Sequence, residues 1–292
     1  MDYQKGLISI IVPIFNTTDK QLIYTKMCLN AIVRNATRPY ELILMDNGSD
    51  KATGDYLNLV FLALTRLGIG CKVFYSKENR GTPRSINEGF TEARGEYLCS
   101  MDTDVCIPYN WMGRLTSFLA AMPSVGAVSG IDYYSIEQIP QEFRFWLATP
   151  REKVEKHVGR LTHDPVSWNW FFNTCYGNFN EYVDSVRTLC SFSTPFIKSA
   201  HWMIHRKVLE SLKTTKPLDE EYGTGLRTDS DFVVNVERNT PYKCVAAAVT
   251  FCHHFGNMTF GLMDRKGICE KNDKYFYKKW GIEHPIPMED WR

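Results

Sequence analysis

Short β-branched runs alternate with longer amphipathic stretches through the first third of the chain. Leu7-Ile8-Ser9-Ile10-Ile11-Val12-Pro13 has the pattern of a buried strand stopped by a proline. Over residues 20–36, Leu22, Ile23, Met27 and Ile32 recur at helical spacing. A second strand is predicted over residues 40–45, followed by the turn cluster Asp46-Asn47-Gly48-Ser49. Leu57, Val60, Phe61, Leu64 and Leu67 predict a helix over residues 53–67, and residues 72–75 a third strand. The loop Asn79-Arg80-Gly81-Thr82-Pro83, a helix over residues 84–93 and a fourth strand over residues 97–101 complete the series.

Strand and helix in strict alternation predict an α/β fold with a parallel, helix-covered sheet. Ligands of such sheets bind beyond the C-terminal strand ends. Asn16, Asp46, Asp102 and Asp104 fall at those ends and are expected to converge. From about Asp132 to Pro195 the pattern changes. Aromatic residues become dense (Tyr133, Tyr134, Phe143, Phe145, Trp146, Trp168, Trp170) and periodicity is poor. This region reads as an acceptor-binding elaboration, or equally as a second small core. Regular patterning resumes with a strand at residues 200–205, a helix at 206–212, an apolar strand at 244–251 and a helix at 271–280. Gly281, Pro285 and Pro287 then end the helical pattern. No internal repeat or low-complexity segment interrupts the chain.

Composition narrows the class without choosing a chemistry. The 292 residues include 44% hydrophobic and 23% charged, enough for a full-size core. Lys and Arg number 34 against 33 Asp and Glu, and the net charge of +1 gives no global field for nucleic acid or an anionic membrane. Lys271, Lys274, Lys278 and Lys279 read as a solvated helix face. Nine cysteines, an odd number with no C-x-x-C pair, point to a reducing compartment rather than a disulfide framework. The apolar run at residues 7–12 is too short for a signal or a membrane span. A cytoplasmic protein is therefore expected, with peripheral membrane contact left open.

Asp102-Thr103-Asp104 follows the predicted fourth strand directly. Side chains two apart in extended chain share a face, so one ion can meet both carboxylates. Paired carboxylates repel unless a cation is present. Their hard oxygens suit Mg²⁺ or Mn²⁺, ions that also coordinate diphosphate.

Several stretches stand out together: Ser9-Ile10-Ile11-Val12-Pro13-Ile14-Phe15-Asn16, Glu41-Leu42-Ile43-Leu44-Met45-Asp46-Asn47-Gly48-Ser49, Glu78-Asn79-Arg80-Gly81 and Arg94-Gly95-Glu96-Tyr97. The Asp-Thr-Asp triplet follows, then Leu218-Asp219-Glu220-Glu221-Tyr222-Gly223, Thr228-Asp229-Ser230-Asp231-Phe232, His253-His254-Phe255-Gly256-Asn257-Met258-Thr259 and Lys279-Trp280-Gly281. In this order they resemble an inverting family 2 glycosyltransferase with the GT-A fold. The resemblance implies one GT-A domain over residues 1–265, with a nucleotide-sugar-binding half (1–131) and an acceptor-binding, catalytic half (132–265). A helical tail, residues 266–292, would follow. Asp46 would accept a hydrogen bond from a uracil-like base lined by Pro13 and Ile14. Asn16, Asn79, Gly81, Arg84, Asp102 and Thr103 would complete the donor side. Asp104 would ligate Mn²⁺ or Mg²⁺, with Asp102 serving ribose, metal or both, and His254 or His253 would complete the metal shell. Adjacent side chains of a strand point oppositely, so one histidine faces the site, and His254 fits better. Asp229 would be the general base that deprotonates an acceptor hydroxyl, with Asp231 as a second candidate or a cap for a helix starting near Phe232. Thr228 stands where the family usually has glutamate.

The resemblance makes the donor a nucleotide sugar, UDP-linked, and leaves carbohydrate, lipid-linked, protein and nucleic-acid acceptors open. Two other classes compete. A sugar-phosphate nucleotidyltransferase would carry a glycine- and arginine-rich loop where this chain has Pro13-Ile14-Phe15-Asn16-Thr17-Thr18. A non-catalytic carbohydrate-binding relative would have little use for Asp46, Asp102, Asp104 and Asp229 together. Cys252-His253-His254 lacks the second ligand pair of a zinc site.

Overall fold

The computed structural model describes residues 3–132, 141–189, 193–194, 200–223, 225–256 and 264–282. Strand β1 (Gln4–Ile14) is buried on both faces. Ile8, Ile10 and Val12 join one apolar cluster, while Ile11 between them joins another on the opposite face. Helices α1 (Asp19–Asn35), α2 (Lys51–Arg66) and α4 (Trp111–Ala121) cover the first face through Leu29, Leu57, Leu64 and Trp111. Helices α3 (Thr82–Glu92) and α9 (Thr228–Asn239) cover the second through Phe90, Phe232 and Val236. Gly89 lets α3 lie close on β1, since a Cβ there would meet Ile11 Cγ2 at 2.5 Å.

Among the described residues the main sheet has eight strands in the order β3-β2-β1-β4-β8-β6-β9-β7. Their ranges are β2 (Tyr40–Asp46), β3 (Gly70–Tyr75), β4 (Gly95–Met101), β6 (Val125–Ile131), β7 (Ser193–Thr194), β8 (His201–His205) and β9 (Lys243–Phe251). Pairs β1–β2, β1–β4, β2–β3 and β6–β9 are parallel. Strand β8 runs antiparallel between β4 and β6. One reversed strand leaves its two neighbours pointing the same way. The C-terminal ends of β1, β2, β4, β6 and β9 therefore emerge along one rim, as expected for a parallel α/β fold. A separate two-stranded ribbon pairs β5 (Val105–Cys106) with β10 (His253–His254) at that rim.

Apart from β1, which starts three residues before its predicted run, and the last helix, the predicted strands and helices lie within two residues of observed ones, that over residues 206–212 being α8 (Lys207–Leu212). Elements α4, β5, β6, β7 and β10 are not among those predicted. The aromatic-rich stretch is more regular than its pattern implies, with α5 (Gln141–His157), α6 (Pro165–Tyr176) and α7 (Phe179–Leu189). Trp168, Phe171 and Val183 pack with Tyr24, Phe251 and Phe255 in a third cluster. The described aromatics thus mainly fill a core, although Trp170 stands 37% exposed. Tyr133 and Tyr134, and the side chains of Phe143, Phe145 and Trp146, lie outside the described residues.

The last helix, α10 (Arg265–Trp280), starts more than a turn earlier than predicted, because Asp264 caps it by accepting from Gly267 N at 3.1 Å. It is bound to the domain by polar contacts. The Arg227 guanidinium donates to Asp273 at 2.7 Å, and Asn272 donates to the Leu226 carbonyl at 2.8 Å. Among the described residues no helix is long and apolar enough to cross a membrane.

Candidate active site

The Asp-Thr-Asp triplet begins where β4 leaves the sheet. Its backbone is fixed there: Asp102 N donates to the Ala200 carbonyl at 2.9 Å, and the Cys28 thiol donates to the Asp102 carbonyl at 3.3 Å. The chain then turns into β5, where Val105 pairs with His254 and Cys106 with His253. Phe255 N donates to the Asp104 carbonyl at 2.9 Å. This ribbon is what brings two segments far apart in sequence side by side.

Alternation along β10 separates the two histidines. His254 Nε2 lies 3.4 Å from an Asp104 carboxylate oxygen. Ligand atoms of Asp102, Asp104 and His254 all fall within 4.8 Å of one another. His253, named above as the alternative metal ligand, is turned away from that group. Its buried ring sits among Phe171, Phe172, Tyr176 and Phe255, with the Tyr176 hydroxyl bonded to Nδ1. Burial, then the neighbouring His254, lowers its pKa to about 3.

The electrostatics of the cluster are those of crowded acids. Burial, then the Asp104 carboxylate, pushes the Asp102 carboxyl up to about 8. Burial alone would depress the His254 imidazole. The flanking Asp104 and Asp132 carboxylates more than offset it and hold the pKa well above the ordinary value. Two oxygen donors and one imidazole, short of positive charge, suit a divalent cation.

Asp132 was not among the residues singled out in the sequence. It follows β6, is 1% exposed, and its carboxylate lies 3.2 Å from His254 Nδ1. The signal was available: it is a carboxylate at the end of a strand buried along its whole length, the same position that drew attention to Asp46.

Asp229 lies in the first turn of α9, half-exposed, where its carboxylate accepts from Ser230 N at 2.9 Å. It lines a small cleft together with Asp102, Thr82, Trp202 and Leu218. Asp231 has a different position. It is buried and accepts from the Trp280 indole at 2.7 Å, Lys279 at 2.9 Å and the Tyr222 hydroxyl at 3.1 Å. Burial outweighs these donors and raises its pKa. Helix α9 starts at Thr228, so Asp231 lies inside the helix and does not cap it.

The donor-side residues divide in the same way. Asp46, at the end of β2, is buried, and its carboxylate accepts from Ser49 N at 3.1 Å. Burial raises its pKa even so. Pro13 and Ile14 run beside Met45 and Asp46 in register, and the Ile14 carbonyl accepts from Asn47 N at 2.7 Å. Asn79 braces the loop against this end, accepting from Asn47 at 2.7 Å and from Gly81 N at 3.0 Å. Gly81 has φ +90°, and a Cβ there would lie 2.0 Å from the Gly223 carbonyl oxygen. Only glycine lets these two loops meet. The buried side chain of Asn16 donates to Thr25 at 2.9 Å in α1. Arg84 is 48% exposed and pairs with Glu88 at 3.3 Å. Thr103 is half-buried between the two aspartates.

A largely parallel sheet in which β8 and the two-residue edge strand β7 are reversed, and a carboxylate pair where its fourth strand ends, define a fold of the GT-A class. The sequence model of Glycosyl transferase family 2 matches residues 9–175, more than half of the chain. A mannosyltransferase from Pyrobaculum calidifontis, solved with GDP-mannose and Mn²⁺, has a similar fold. It aligns at TM-score 0.54 and 18% identity over 85% of this chain and 56% of its own. Glycosyltransferase GlyG of Streptococcus pneumoniae is 24% identical over 58% of this chain and 52% of its own length. An undecaprenyl-phosphate 4-deoxy-4-formamido-L-arabinose transferase of Pseudomonas paraeruginosa is 26% identical over 55% of this chain and 44% of its own. The chain spans about half the length of these curated relatives. It belongs to glycosyl transferase family 2, a family of sugar-transferring enzymes.

Proposed function

We propose that this chain moves a sugar from a nucleotide-sugar donor to an acceptor hydroxyl, inverting the anomeric centre. The observation that carries the reading is the group of Asp102, Asp104 and His254, whose member Asp102 lines one cleft with Asp229. Asp102, Asp104 and His254 would hold Mn²⁺ or Mg²⁺, and the imidazole in the set favours Mn²⁺. The bound ion supplies Lewis-acid neutralisation of the charge that grows on the departing nucleoside diphosphate.

The chain's own groups do the rest. Asp46 accepts from an N–H of the base, with Pro13 and Ile14 beside it and Asn79 and Gly81 shaping the facing loop. A UDP-linked donor fits an acceptor of this kind, since uracil presents one such N–H. Asp229 takes the proton of the acceptor hydroxyl as its oxygen bonds to the anomeric carbon and the bond to the diphosphate breaks. One base and one direct displacement give inversion. Asp231, occupied by three donors, is not available for that task. The nine cysteines, an odd number with no C-x-x-C pair, support a reducing compartment, the cytoplasm.

A panel of UDP- and GDP-sugars, assayed for hydrolysis with Mn²⁺, Mg²⁺ or chelator, tests the donor half. Ion-dependent release of UDP is expected. Equal release in chelator sinks the metal assignment, and preference for GDP-sugars corrects the base. A product that keeps the donor's configuration would exclude direct displacement. Pyrophosphate release from a nucleoside triphosphate and a sugar phosphate would move the protein to the nucleotidyltransferase class.

A further inference from the structure

The strand-end carboxylate Asp132 has no part in the reading above, yet it touches one of the three residues that carry it. We propose that Asp132 is a positioning residue, which accepts the Nδ1 proton of His254 and so aims the Nε2 lone pair at the ion held with Asp102 and Asp104. The inference rests on the proposed metal site. Three observations support it. The contact is 3.2 Å and lies on the ring edge opposite Asp104. Asp132 is 1% exposed, so bulk water does not compete for its carboxylate. Its backbone is fixed by the last residue of β6, whose carbonyl accepts from Cys252 N at 2.9 Å. That bond joins the β6 end to the segment that leads into His254. The carboxylate and the histidine it orients are therefore held by one piece of backbone geometry.

A histidine has two ring nitrogens, and the one that carries the proton cannot bind the ion. Fixing the proton at Nδ1 leaves Nε2 as the ligand and sets the ring plane. Without that bond both tautomers and both ring flips compete, and metal affinity falls by roughly 10- to 100-fold in sites of this type.

The test uses the full chain and Mn²⁺ alone, with affinity read from the electron paramagnetic resonance of the free ion. Asp132→Asn keeps an acceptor oxygen in place but loses the charge, and Asp132→Ala loses both. Orientation predicts weakening of about 10-fold for Asn and closer to 100-fold for Ala. An effect of charge alone would weaken the two equally and would overturn the proposal, as would Mn²⁺ binding by Asp132→Ala within twofold of the parent. A second readout guards against general damage. In the Mg²⁺-loaded protein, ¹⁵N spectra of the imidazole should show only the Nδ1–H tautomer of His254, and a mixture in Asp132→Ala. A single unchanged tautomer in Asp132→Ala refutes the assignment. If Asp104→Ala abolishes Mn²⁺ binding while Asp132→Ala binds within twofold of the parent, this inference fails and the metal site stands. If the parent binds no Mn²⁺, both fall.

Discussion

Replacing Lys279 with methionine should loosen the first turn of α9, which also carries the proposed base Asp229. The Lys279 ammonium donates to buried Asp231 at 2.9 Å and to Asp219 at 2.6 Å, tying α10 to α9 and to the segment before it. Methionine keeps much of the aliphatic stem and removes the charge. Asp231 is 1% exposed and would then be a buried carboxylate held by Tyr222 and Trp280 alone. Stripping one partner from a buried ion pair costs about 3 to 5 kcal/mol. The Lys279 side chain is 28% exposed, so water already screens part of this contact and the lower end, about 3 kcal/mol, is the better figure. In a chain of this size that corresponds to a fall in Tm of roughly 6 °C. The loss should depend on pH. Burial raises the Asp231 pKa, and removal of Lys279 raises it further, so the carboxyl can escape the penalty by taking up a proton. A raised carboxyl pKa favours the folded state at low pH and forfeits that as pH rises. The destabilisation by Lys279→Met is therefore larger at pH 8 than at pH 5. Calorimetry on the parent, Lys279→Met, Asp231→Asn and the double variant gives the cycle. A coupling of about 1 to 3 kcal/mol is expected at pH 8. Strict additivity, or a loss from Lys279→Met that is the same at both pH values, refutes the account of a buried, lysine-compensated carboxylate.

Three further outcomes follow from the site. Asp229→Asn should lower turnover by about 10²- to 10⁴-fold with donor KM nearly unchanged, and a rate within threefold of the parent places the base elsewhere. Without metal, the raised pKa values of Asp102 and His254 act with the same sign. Asp102 favours folding below its ordinary pKa and loses that contribution as pH climbs toward about 8, and His254 loses its share as pH passes its own raised pKa. Saturating Mg²⁺ should thus raise Tm more at pH 8 than at pH 6, and the reverse order in a thermal melt would contradict the charge-crowding account. Gly81→Ala should cost about 1 to 3 kcal/mol in urea unfolding from backbone strain and raise donor KM, because the Gly223 carbonyl blocks the new methyl group. Unchanged values of both would mean the two loops do not need to touch.

The first hundred residues were legible because β1, β2 and β4 are buried on both faces and the helices between them on one, which gives each a distinct period. Asp46 and the Asp-Thr-Asp triplet stood out because they end such strands. The aromatic segment hid its helices because α6 also carries large apolar residues, Val166 and Trp170, on its exposed side, which blurs the period of the buried face made by Trp168, Phe171 and Cys175. Reversal of β8 left no trace in composition, since a strand buried on both faces reads the same in either direction. His254 could be preferred over His253 by strand alternation. Its partner Asp132 could not be paired with it, because β6 and β10 meet only through the folded backbone. The placement of Asn16 was not legible for a related reason: a polar residue at a strand end can serve the adjoining helix as well as a ligand, and here its side chain donates to Thr25.

Strand β8 also sets an order of assembly. β4 and β6 are made early in translation, but nothing joins them until residues 201–205 arrive and fill the gap. Until then each presents an open hydrogen-bonding edge to whatever else is unfolded nearby. A truncation after residue 175, where the family match ends, would make that transient condition permanent. The growing chain is most exposed to aggregation late in synthesis, when its most familiar-looking half is already complete.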